Sequence, residues 1–153
     1  MNPLVRRFIK TAFGFLVLGV LLGLTMLVQR ELGGGWPPPY VVSAHKHAIF
    51  VGFVMFMILG VALWIFPRAQ ADDPRFRTGR IELVYWLLLT GTLARFTGEL
   101  VRGYAGLPAM GGVIVAGGAA QVASFLLYIW TMWYRIRPAG RARRAGSRAT
   151  EEG

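Results

Sequence analysis

Apolar residues fill four long blocks of the chain, at about 8–28, 44–66, 82–104 and 110–134, with short polar or turn-forming stretches between them. Each block reaches the roughly 20 residues that an α-helix needs to cross a hydrocarbon core of about 30 Å. A soluble domain of this length would alternate apolar and polar faces at helical or strand period, and these blocks do not. The pattern predicts an all-α integral membrane protein whose four transmembrane helices form an antiparallel bundle over residues 1–138. The first block has the position of a signal peptide, but its apolar core is long. Gln29-Arg30-Glu31 follows it where a small-residue cleavage site would stand, so it is read as a helix.

The breaks have local causes. Gly33-Gly34-Gly35-Trp36-Pro37-Pro38-Pro39-Tyr40 cannot continue a helix, and its aromatic residues suit a membrane interface. Ser43 is the expected N-cap of the second helix, which Pro67-Arg68 should end. Ala69 to Arg80 reads as a polar loop and Gly106-Leu107-Pro108 as a short turn. The third block is apolar in its first half and carries Arg95, Thr97, Glu99 and Arg102 in its second. The fourth opens on Gly111, Gly112, Gly117, Gly118, Ala119 and Ala120 and closes on Trp130, Trp133 and Tyr134. Residues 139–153, rich in Arg, Gly and Ala, have the composition of a disordered basic tail.

Charge adds an orientation. The 17 Lys and Arg against seven Asp and Glu give +10, a balance compatible with nucleic-acid binding. The charges lie between and after the apolar blocks, however, which is a membrane pattern, and nucleic acid is not an expected partner. Thirteen basic residues (Arg6, Arg7, Lys10, the four from Arg68 to Arg80, the six from Arg135 to Arg148) share one side. Only Arg30, Lys46, Arg95 and Arg102 lie elsewhere. The positive-inside rule then puts both termini in the cytoplasm of a bacterial cell, with the helices in its inner membrane. The basic tail would touch anionic lipid. Cysteine is absent, which excludes disulfides, iron–sulfur clusters and thiolate-ligated heme.

The only two histidines, His45 and His47, stand at the outer, periplasmic head of the second block. At about 100° per residue, positions i and i+2 point about 200° apart. The pair therefore cannot clamp one metal from one helix, and suits two separate sites or one site and a surface residue. Arg95, Glu99 and Arg102 fall on one helical face. Arg95 or Arg102 could hold heme propionates, with Glu99 relaying protons, or the group could be an internal ion pair that makes intramembrane charge tolerable. The small residues of the fourth block could admit a porphyrin face or a close helix neighbour. Gln121 and Ser124 are expected to hydrogen-bond between helices, and Lys46 to extend outward.

The run Tyr40-Val41-Val42-Ser43-Ala44-His45-Lys46-His47, with the apolar helix closed by Trp64-Ile65-Phe66-Pro67, resembles one helix of the catalytic subunit of heme–copper oxidases and nitric oxide reductases (cytochrome c oxidase subunit I-like). That family carries a VVxAHxH run at the outer end of a late helix. By the resemblance His45 matches the high-spin heme ligand and His47 the low-spin one, which implies heme b at one or two sites. The three further histidines of the family's copper site are missing, so no copper is expected. The lone chain is not expected to reduce oxygen or nitric oxide by itself. The second axial histidine is missing too, which implies a second copy, a partner subunit, or a methionine such as Met55, Met57 or Met110. The expected function is electron transfer or handling of a diatomic gas, as a homo-oligomer or beside a respiratory complex. The alternatives are a heme-free accessory subunit or assembly factor, and a proton- or metal-handling protein using His45, Glu99 and Arg95.

Overall fold

The computed structural model describes residues 3–66 and 78–135. The expected stop at Pro67-Arg68, most of the Ala69 to Arg80 loop, and the 139–153 tail lie outside the described residues. Helix α1 spans Pro3–Leu32 and α2 spans Pro39–Ile65. Helix α3 spans Thr78–Ala105, and α4 spans Met110–Met132 and tightens into a 3₁₀ turn at Trp133–Arg135. The protein is all-helical, with no strand among the described residues. Three helices (α1, α2 and α4) are long and apolar enough to cross a membrane. Helix α3 has the length, but Arg95, Glu99 and Arg102 charge its second half.

Neighbouring helices run antiparallel, as contacts at the glycines show. Ascending α1, Phe8 meets Gly60, Phe15 meets Gly52, Gly19 meets Ile49 and Gly23 meets His45. A methyl group at any of these glycines would overlap its partner, so the side chains of one helix sit against the bare backbone of the other. Between α3 and α4 the approach is backbone to backbone: a Cβ at Gly91 or at Gly117 would lie 2.7 Å from the other's carbonyl oxygen. Of the small residues of α4, Gly117 and Ala120 serve helix contact, while a Cβ at Gly112 would meet nothing within 4 Å. Ser124 donates to the Val84 carbonyl at 2.8 Å and Gln121 to Thr92 Oγ1 at 3.1 Å, as expected of them.

The core lies where α1, α2 and α3 meet. Phe8, Phe15, Phe56 and Tyr85 are buried there, with Phe8 and Tyr85 edge to face at 5.2 Å between ring centres. Tyr85 Oη shares a hydrogen bond with Thr11 Oγ1 at 2.8 Å, and Tyr128 reaches from α4 to the Leu59 carbonyl at 3.0 Å. Arg135 closes that end by donating to the Phe66 carbonyl at 2.9 Å, a cation on the last turn of α2. Helices α1 and α4 do not pack on each other among the described residues, so the bundle is open between them. Outward faces are apolar: Val17, Leu21, Leu24 and Val28 on α1, Val115, Val122, Leu126 and Ile129 on α4. That outward distribution of hydrocarbon is what a lipid solvent selects.

Two features depart from the expected elements. Helix α2 begins at Pro39, with Pro38 as N-cap and no side-chain capping bond, so Ser43 is a full turn inside the helix and does not cap it. The ring of Pro39 needs no amide donor there, which is why the helix can start inside the triple proline. Secondly, Ala48–Met55 is a π-helical segment immediately after His47. Wider turns of this kind are rare and shift the facing of everything beyond them. Here the segment carries Ile49 and Gly52 onto α1.

The glycine contacts make a stability prediction. Gly91→Leu should overpack α3 against α4 and cost about 1–3 kcal/mol. Gly14→Ala, whose added methyl meets nothing within 4 Å, should be neutral or stabilising by up to about 1 kcal/mol. Unfolding of both variants in detergent tests this, and equal stability would contradict the close α3–α4 approach.

Candidate functional site

Helix α2 turns its two histidines to opposite neighbours, as their spacing requires. His45 faces α1: its Nδ1 lies 3.0 Å from the Gly19 carbonyl oxygen, and its ring rests on Gly23, where a Cβ would stand 2.9 Å from His45 Cε1. His47 faces α3: its Nδ1 lies 2.9 Å from the Ser43 carbonyl oxygen one turn back. A carbonyl oxygen only accepts, so in both rings Nδ1 carries a hydrogen, and in the neutral form of the ring the lone pair is on Nε2. Orientation of an imidazole through a hydrogen bond at the other nitrogen is the usual companion of metal ligation.

A cleft of about 320 Å³ opens beside His45, lined by Gly23, Met26, Leu27, Arg30, Trp36, Pro37, Val42 and His45. It lies between α1 and α2 where the glycine–proline connection spreads them apart. Its lining is mostly hydrocarbon and includes the His45 imidazole and the Arg30 guanidinium. Arg30 is paired with Glu31 at 2.6 Å and lies over the Trp36 ring at 5.7 Å. In this lining His45 is the residue able to bind a metal through nitrogen, and Arg30 is the cation.

The polar group between α2 and α3 is differently built. Glu99 is 2% exposed, and a bare carboxylate there would be costly. Its Oε1 accepts from Arg95 Nε at 3.0 Å and from Ser43 Oγ at 2.9 Å. The second oxygen, Oε2, has no hydrogen-bond partner among the described residues. His47 Nδ1 stands 3.4 Å away, but its hydrogen is better aimed at the Ser43 carbonyl. Arg95 and Glu99 form the internal ion pair that four-residue spacing allows. Arg102 instead lies over the Tyr40 ring at 4.5 Å.

The structure regroups the residues singled out from sequence. His45 and Glu99 lie on opposite sides of α2, and it is His47 that meets Glu99. Neither Arg95 nor Arg102 lines the His45 cleft. Met57 lines an apolar groove with Ile58, Val61 and Phe66, ten residues or roughly 15 Å down α2 from His47. Among the described residues no three His, Asp or Glu side chains converge as a metal site. Gly23, Met26, Arg30 and Ser43 were not recognised as site residues. Gly19 and Gly23, four apart, were the legible sign of a groove on α1.

Glu99→Ala should destabilise the fold by about 2–4 kcal/mol, less than the about 3–5 of a fully buried pair because Arg95 is 29% exposed. Replacing both partners, as Arg95→Met with Glu99→Leu, should recover most of that loss, since no charge is left unpaired. Chemical unfolding of the three proteins checks this, and a single variant as stable as the parent would show the pair to be incidental. No family model, curated protein or solved structure matches this chain.

Proposed function

We propose that the chain is a heme b-binding protein of the bacterial inner membrane, related to cytochrome oxidase subunit I, acting in electron transfer or in handling oxygen or nitric oxide. The observation that carries this is the pair of imidazoles, each held at Nδ1 by a backbone carbonyl, which in the neutral ring leaves Nε2 as the ligand atom. His45 is the stronger ligand because a cleft adjoins it. His47, on the α3 side, is a second available nitrogen. Arg30 is the residue to receive a propionate, because it lines the cleft beside His45 and neither Arg95 nor Arg102 does. When bound, heme supplies one-electron chemistry and an iron that takes diatomic gases. The protein's part is to orient the imidazole, keep the pocket apolar and neutralise the propionate charge.

In this reading all four helices span the membrane, α3 being carried by the Glu99–Arg95 pair and its packing on α4. The termini are cytoplasmic, and the histidines lie toward the periplasm. The resemblance of Tyr40 to Arg68 to the oxidase helix supports the assignment, as does the grouping of 13 of the 17 basic residues between and after the apolar blocks on one side. A homo-oligomer or a respiratory complex would be its setting. A second reading, a heme-free accessory subunit or assembly factor, draws on the open edge between α1 and α4, whose apolar faces are as suited to a partner helix as to lipid.

Detergent-purified protein should show a Soret band and, after dithionite, α and β bands, with heme near one or two per chain. His45→Ala should lose the heme of the α1 cleft. Gly23→Val should do the same while leaving helix content intact, because its side chain displaces the His45 ring. Protein that stays colourless after heme is added back, and that co-purifies with an oxidase or reductase, would favour the accessory reading instead.

A further inference from the structure

We infer that the first turns of α1 hold one anionic phospholipid, its phosphate between Arg6 and Lys10 and an acyl chain along the apolar stripe that continues from them. The inference rests on α1 crossing the membrane and is independent of heme. Three cations stand in these turns, and they are not equivalent. Arg7 is turned to α3 and paired with Glu82 at 3.1 Å. Arg6 and Lys10 are exposed, and neither has a counter-charge among the described residues. Glu82 is the one acid among the described residues at this end of the bundle, where Arg80 and Arg135 add further positive charge. An anion that balances Arg6 and Lys10 therefore comes from outside the chain.

Helix geometry makes one surface of these residues. Arg6, Lys10, Phe13, Val17, Leu21 and Leu24 follow at steps of three or four and so share a face. All are exposed, on the side of α1 opposite the buried Phe8, Ala12 and Phe15. Bonds from Cα to Cβ tilt toward a helix N-terminus, so Lys10 leans back toward Arg6. Two like charges held this way repel, and an anion between them removes the repulsion. The depth suits a headgroup. At 1.5 Å per residue the 30-residue helix is about 45 Å long. A bilayer with its headgroups is about 40–45 Å thick, and its hydrocarbon about 30 Å. Arg6 falls within the first 5 Å or so of the helix and Lys10 within about 11 Å, so the Lys10 stem lies on hydrocarbon and its ammonium reaches the headgroups. One turn below Lys10, a Cβ at Gly14 would meet nothing within 4 Å. The surface is recessed there between Phe13, Val17 and Leu18, and an acyl chain fits against it. A phosphatidylglycerol headgroup leaves its phosphate charge uncancelled, whereas choline cancels it, so two unpaired cations select the anionic lipid.

The test titrates the detergent-purified full chain with phosphatidylglycerol or phosphatidylcholine and counts bound lipid by native mass spectrometry, with helix content checked for every variant. Wild type should retain one phosphatidylglycerol per chain at lipid levels where phosphatidylcholine is lost. Arg6→Gln with Lys10→Gln should weaken that binding about 30-fold, about five-fold per cation, and abolish the preference. Arg143→Gln with Arg144→Gln removes the same charge from the tail and should leave it unchanged. Gly14→Leu keeps every charge but fills the recess, and should retain less lipid than wild type. A wild type without preference for phosphatidylglycerol would overturn the site. So would a tail variant that loses as much binding as the Arg6 and Lys10 variant, since net charge alone would then account for it. An Arg6 and Lys10 variant that keeps the lipid but unfolds more easily would also overturn it, by showing that the two cations are used within the chain. A chain that stays in solution without detergent would overturn the membrane reading itself.

Discussion

Close approach of helix backbones at glycine is the constraint on which the rest of this structure depends. In a hydrocarbon solvent the hydrophobic effect gives no reason for one apolar helix to prefer another, so packing and interhelical hydrogen bonds must supply it. Glycines at 19, 23, 52 and 60 let α2 settle on α1, and Gly91 and Gly117 bring α3 and α4 to van der Waals contact of their backbones. Each close approach shortens the distance that polar side chains must reach. Ser124, Gln121 and Tyr128 consequently find acceptors on facing helices.

The same constraint positions the chemistry. His45 lies against α1 because Gly23 leaves room for its ring. His47 is turned to α3, where Ser43, Arg95 and Glu99 form a polar group inside the bundle. The two imidazoles therefore meet different environments. One borders a mostly apolar cleft lined also by Arg30, itself paired with Glu31; the other adjoins a buried carboxylate occupied by Arg95 and Ser43. A heme proposed for this chain belongs more naturally to the first. The buried ion pair has a plain structural use as well, since it lets the charged half of α3 lie beside α2.

Hydrophobic run length and turn chemistry made much of the fold legible in the sequence. The four helices, the glycine–proline break, the turn at Gly106 and the pairing of Arg95 with Glu99 all follow from local rules. Ser43 is an instructive failure. A serine ahead of an apolar run is the ordinary mark of a helix start, but Pro39 already begins the helix, and the hydroxyl is drawn to Glu99 across the interface. Met26 and Arg30 carried no signal. A methionine in an apolar block and an arginine at its end are ordinary, and only the fold brings them beside His45.

The sequence by itself determined that the chain is helical, that hydrocarbon suits its surface, and that His45 and His47 address opposite sides of one helix. Those properties depend on residue type and on the 3.6-residue period, both local. Tertiary structure decided which neighbour each histidine faces, that Glu99 meets His47 and not His45, and that a cleft opens between α1 and α2. It also decided that α2 contains a π-helical segment just past the histidines. These follow from how glycine-lined faces interlock across residues tens of positions apart, and no local pattern encodes that distance.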